Sequence, residues 1–203
     1  MPDKNPFSDM KRGKEEEYFR KKERELIEKL KQRTSAEQAR QQLAEASGIG
    51  DQGILQALHE LGYTRDTVSL LHLVPLVYVA WAEGSVSNAE MTLIVEAARL
   101  RGVNRGSAAH SQLEDWLKNR PSFEFFEKTL RVIGDLVGSL PSDEQKTARQ
   151  DLLTYSERVA GASGGILGLG SKVSDEERAV LAEIGRALGP GRADAVREAL
   201  RKR

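Results

Sequence analysis

The stretch VSLLHLVPLVYVAWA at residues 68–82 constrains this chain more than any other. It is the most hydrophobic run present, yet it falls short of the ~20 apolar residues that cross a bilayer. It also contains His72 and Pro75. The run therefore predicts a helix buried at the centre of a protein, bent by Pro75, with other elements wrapped around it.

The rest of the chain supplies those elements as helices. Gln52 to Leu61 ends at Gly62, a residue suited to closing a helix, and Asp66 is placed to cap the apolar helix. A helix from about Asn88 stops at Gly102. Another, around Leu113, Trp116 and Leu117, stops before Pro121. Ser122 caps the next, which carries Phe123, Phe126, Leu130, Ile133 and Leu136. Ser142-Asp-Glu-Gln145 reads as a capping box opening a helix to about Ala160. GASGGILGLG at 161–170 reads as a loop, and GPG at 189–191 as a turn into a last short helix. No segment alternates like a strand. The expected fold is an all-α compact helical bundle.

Before residue 48 the character changes. Residues 1–13 show no periodicity and read as a disordered lead. Residues 14–47 are strong helix formers and read as a charged helical arm, with a break expected at the Thr34-Ser-Ala-Glu37 capping signature. GIGDQG at 48–53 forms the joint, so the domain proper is placed at 48–203.

Thirty-one basic residues balance 31 acidic ones, so net charge points to neither nucleic acid nor an anionic membrane. There are no cysteines, which removes disulfides, thiolate metal sites and cysteine nucleophiles. No apolar run follows the charged N-terminus, so a secretory signal is not expected, nor is a transmembrane segment. The expected location is cytoplasmic.

One phrase occurs twice: GSVSNAEMTLI at 84–94 and GSKVSDEERAVLAEI at 170–184. Two readings fit it. In the structural one, Ser87 with Glu90 and Ser174 with Glu177 form capping boxes, with Val86 and Val173 stapled onto the first turn. In the functional one, the carboxylates of Glu83, Glu90, Asp175, Glu176 and Glu177 bind a hard cation such as Ca2+ or another divalent ion. Neither copy has the layout of an EF-hand loop.

AWAEGSVSNAE at 80–90, together with residues 159–184, resembles the TerB-like domain named from tellurite-resistance proteins, over roughly residues 50–190. The resemblance implies a compact all-helical module, bacterial in type, serving a stress response rather than catalysis. It implies that the family's acids form a metal-binding or acidic interaction surface. By position these are Glu83, Glu90, Asp175, Glu176 and Glu177, although residue 83 is Glu where the family usually has Asp.

The arm has its own resemblance. EEEYFRKKERELIEKLK at 15–31 is similar to the core of F-type ATPase inhibitor proteins, with Glu15, Glu16 and Glu17 before Tyr18, Phe19 and Arg20, then Glu25, Leu26 and Leu30. That implies a protein partner, an F-type ATPase by analogy, held through Tyr18, Phe19, Arg20, Leu26 and Leu30. A solvated helix or a coiled-coil homodimer suits the same thin apolar seam. Residues 11–33 carry ten basic and six acidic residues, and the interleaved glutamates argue against a nucleic-acid arm.

Other signals carry no chemistry. GGILGLGSK at 164–172 has the wrong order for a phosphate loop and follows a helix. His59, His72 and His110 are scattered, and His72 reads as a hydrogen-bonded core histidine. No nucleophile, base and orienting group fall at suggestive spacing, so no enzyme is expected.

Overall fold

Serines set the starts of four helices in the computed structural model, which describes residues 6–163 and 173–189, without the side chains of residues 6–17, 19 and 163. Ser87, Ser107, Ser122 and Ser174 each hold an extended backbone and accept, through Oγ, the N–H of the residue three further on. This meets one of the four backbone donors that a helix start leaves open. The helices are α1 (Pro6–Ser47), α2 (Gln52–Glu60), α3 (Val74–Ala80), α4 (Asn88–Leu100), α5 (Ala108–Lys118), α6 (Phe123–Ser139), α7 (Ser142–Ser163) and α8 (Asp175–Ala187). A 3-10 helix at Val68–Leu73 leads directly into α3. No strand occurs among the described residues, so the all-α expectation holds. None of the described helices is long and apolar enough to cross a membrane.

The chain divides into two compact units, Met1–Gln41 and Gln42–Arg203. The expected boundary near residue 48 therefore moves back, and Leu43 shows why. It is fully buried in the core of the second unit, and an apolar side chain so placed belongs to that unit. Two expectations for the first unit also change. Helix α1 begins at Pro6, inside the segment read as disordered, since proline is well tolerated in a helix's first turn. No break occurs at Thr34, whose hydroxyl donates to the Leu30 carbonyl at 3.0 Å and so bonds within the helix instead of capping a new one.

In the second unit every residue of α3 is buried, and α3 packs against α4, α6, α7 and α8. This is the central helix that its composition demanded. Pro75 does not bend the middle of it but sits in its first turn, where the 3-10 segment gives way to α-helix and no backbone donor is lost. Asp66 does not cap this segment; the local turn is closed by the Thr64 N–H donating to Thr67 Oγ1 at 2.9 Å. Gln145 likewise leaves its expected box. Its Nε2 donates to the carbonyls of Gly138 and Leu140 at 3.0 and 2.8 Å, satisfying the end of α6.

Trp81 Nε1–H donates to the Trp116 carbonyl at 2.8 Å, tying the end of α3 to the end of α5. Tyr78 stacks on Phe126 with ring centroids 4.5 Å apart. Gly134 lets α6 and α8 approach so closely that a Cβ there would collide with the Ala187 carbonyl oxygen.

Candidate functional site

Both copies of the repeated phrase are complete capping boxes. The Ser87 N–H donates to Glu90 Oε2 at 2.7 Å and the Glu90 N–H to Ser87 Oγ at 3.2 Å. At α8 the Ser174 N–H donates to Glu177 Oε2 at 2.7 Å and the Glu177 N–H to Ser174 Oγ at 3.1 Å. Val86 and Val173 are partly buried against the core, as a hydrophobic staple requires. Capping carries both glutamates inward: Glu90 is 2% exposed and Glu177 1%.

The two helix starts lie near enough for the charge of one to act on the other. Burial raises the Glu90 carboxyl above its ordinary value, the Ser87 N–H and hydroxyl hold it back, and the charges of Glu177 and Glu83 push it further up. A carboxylate from the second phrase and one preceding the first therefore act on the same buried group. Like charges brought together in a partly desolvated place repel, and anything positive bound there relieves that repulsion.

The other three acids stay in solvent. Glu83, Asp175 and Glu176 are all exposed. Asp175 accepts from Arg178 at 3.2 Å along the same helix. Among the described residues no group of three or more His, Asp or Glu is gathered closely enough to hold a metal ion. The arrangement is thus an acidic face around two buried capping carboxylates, with loosely placed exposed acids beside them.

In the first unit Tyr18, Leu26 and Leu30 are 57%, 59% and 52% exposed, and Arg20 is exposed as well. Lys22 Nζ lies 5.7 Å from the centroid of the Tyr18 ring, and Glu25 pairs with Lys22 at 3.6 Å. The side chain of Phe19, the remaining member of the expected partner set, lies outside the described residues. So do the loop expected at 164–170 and the last helix expected after residue 191.

Two features escaped the sequence. Tyr78 Oη–H donates to Glu183 Oε2 at 2.8 Å, and burial followed by this acid raises the phenol well above its ordinary range. His72 is not the satisfied histidine expected: its Nε2 is buried without a hydrogen-bond partner among the described residues. Burial, and secondarily the charge of Arg101, lowers its pKa to about 4. Neither could be foreseen, because each depends on which helices become neighbours. Comparison of the chain with protein-family models, with curated proteins and with solved structures found no match.

Proposed function

We propose that this protein is a non-enzymatic, TerB-like helical module of a stress response that binds positive charge at the starts of α4 and α8. That charge belongs to a divalent cation or to a basic group of a protein partner. The observation that carries this reading is the raised Glu90 carboxyl, pushed up first by burial and then by the charges of Glu177 and Glu83. One side-chain oxygen of Glu90 and one of Glu177 already serve the caps. A hard cation seeking six to eight oxygens would need Glu83, Asp175, Glu176 and water to complete its shell.

The test is calorimetric titration and thermal melting with millimolar calcium or magnesium. The probe is the full chain and its Glu83→Gln, Asp175→Asn, Glu176→Gln triple variant. Saturable heat and a melting shift that the triple variant loses support the cation version. The absence of both heat and shift eliminates it. The protein version then rests on affinity capture from cells, and identical capture by wild type and triple variant would eliminate that too.

A second reading has its own observation, the exposure of Tyr18, Leu26 and Leu30 in the arm. In that reading the arm holds a large protein partner, an F-type ATPase by analogy, with the aromatic pair as anchors. A Tyr18→Ala, Phe19→Ala variant that recovers the same partners as wild type would rule it out.

A further inference from the structure

An open cleft of about 810 Å3 lies in the second unit, away from the acidic face. Its volume falls within the ~300–1,000 Å3 typical of small-molecule sites. Ile54, Leu71, Ile133, Val137, Leu140 and Leu152 give it apolar walls drawn from α2, the 3-10 helix, α6 and α7.

The charged groups and the histidine around these walls can be sorted by what already engages them. Asp51 lines the cleft, but its Oδ1 accepts the Ile54 N–H at 2.9 Å as the cap of α2. Arg65 lies 3.7 Å from Asp66. Among the described residues no carboxylate lies within ion-pair distance of Arg101, at the end of α4; its guanidinium lies 5.7 Å from the centroid of the Tyr155 ring. His72 also lines the cleft, with its Nε2 buried and unpartnered among the described residues. The positive field of Arg101 reaches this imidazole and helps keep it neutral. A neutral imidazole beside the guanidinium does not compete with it for an anion. Two carboxylates oppose an anion: Asp51, which stays charged while it caps α2, and Asp151 of α7, which also lines a neighbouring groove with Asp143 and Glu144.

We propose that this cleft binds an aliphatic carboxylate, its chain along the apolar walls and its carboxyl group at Arg101 beside His72. Guanidinium pairs with carboxylate through parallel hydrogen bonds, and the walls supply the area that removes a hydrocarbon chain from water. Decanoate satisfies both halves. Decanol satisfies only the apolar half, and decylamine reverses the charge.

The experiment is calorimetric titration of the full chain with decanoate, decanol and decylamine. Decanoate is expected to bind with one site per chain, more tightly than either analogue. Arg101→Gln should weaken it about tenfold or more, the worth of a charged hydrogen-bonded pair. Asp151→Asn should tighten it. Ala46→Trp places bulk at the cleft from an exposed position on α1. It should abolish binding while leaving the melting temperature in place. The proposal is overturned if decanoate does not bind or if an analogue binds equally well. It is also overturned if either Arg101→Gln or Ala46→Trp leaves decanoate affinity unchanged.

Discussion

Glu90, in the first turn of α4, holds its carboxyl proton above the ordinary value because it is buried, and the charge of Glu177, in the first turn of α8, adds to that rise. Each is the third helical residue of its own capping box, so each is fixed by hydrogen bonds to its own serine before it meets the other. One capping device thereby acts on the buried carboxyl of the other. The functional reading of the repeated phrase rests on this coupling and not on the phrase itself.

Capping and charge can be separated at Glu90. Glutamine also serves at this position of a capping box, so Glu90→Gln keeps an acceptor for the Ser87 N–H while removing the charge. Thermal melts at neutral pH should find Glu90→Gln at least as stable as wild type. Ser87→Ala, which removes the cap itself, should cost about 1 kcal/mol, a fall in Tm of roughly 2–4 °C for a chain of this size. Equal losses in both variants would mean that the charge contributes no strain.

His72 predicts a dependence at acid pH. Its pKa of about 4 in the folded protein lies below its ordinary 6.5. The unfolded chain therefore takes up this proton first as pH falls. The stability contributed by keeping His72 neutral is complete above 6.5 and is lost as pH falls through that value toward 4. Denaturant unfolding across this window should show the loss in wild type and a smaller one in His72→Gln. An imidazole that titrates near 6.5 by NMR would contradict the prediction.

The packing of α6 against α8 predicts that Gly134→Ala is destabilising although alanine favours helices. The added methyl must displace the Ala187 carbonyl, and overpacking of this kind costs about 1–3 kcal/mol. Gly138, on the same helix, has open space at its Cβ position. Gly138→Ala should be neutral or stabilising by chemical denaturation. Equal effects at the two sites would show that the helices can part without cost.

The arm should tolerate truncation of its seam. Tyr18, Leu26 and Leu30 are each more than half exposed. Alanine at all three should leave the melting temperature of the isolated chain unchanged, since exposed substitutions usually stay within about 0.5 kcal/mol. A large fall at high protein concentration that vanishes on dilution would instead reveal a self-paired arm.

How much of this was legible in the sequence follows from the range of each interaction. Ser87, Ser122 and Ser174 cap residues three positions away, and Gly62 and Gly102 take positive φ just past helix ends. Local spacing is enough to foresee these. The run at 68–82 announced its own burial for the same reason. Gln145 was misread because its partners, Gly138 and Leu140, belong to the end of the preceding helix. Thr34 was misread because a threonine that could cap can equally bond backward along an unbroken helix. Leu43 was assigned to the arm because nothing local distinguishes a core leucine from a seam leucine. At the acidic face the boxes are legible, while the effect of the Glu83 and Glu177 charges on Glu90 is not. It depends on α4 and α8 packing around the same central elements.

The most direct measurement is the carboxyl pKa of Glu90, followed by NMR of its side-chain carbon in wild type and in Glu177→Gln. The folded protein holds this proton more tightly than the unfolded chain does. Glu90 thus favours folding most below its ordinary 4.5, and that contribution is lost as pH rises through the raised value. Glu90 is predicted to titrate above 4.5 in wild type and to move back toward it in Glu177→Gln. A value at or below 4.5, or one that Glu177→Gln leaves unmoved, would contradict the claim that the two phrases form one acidic face.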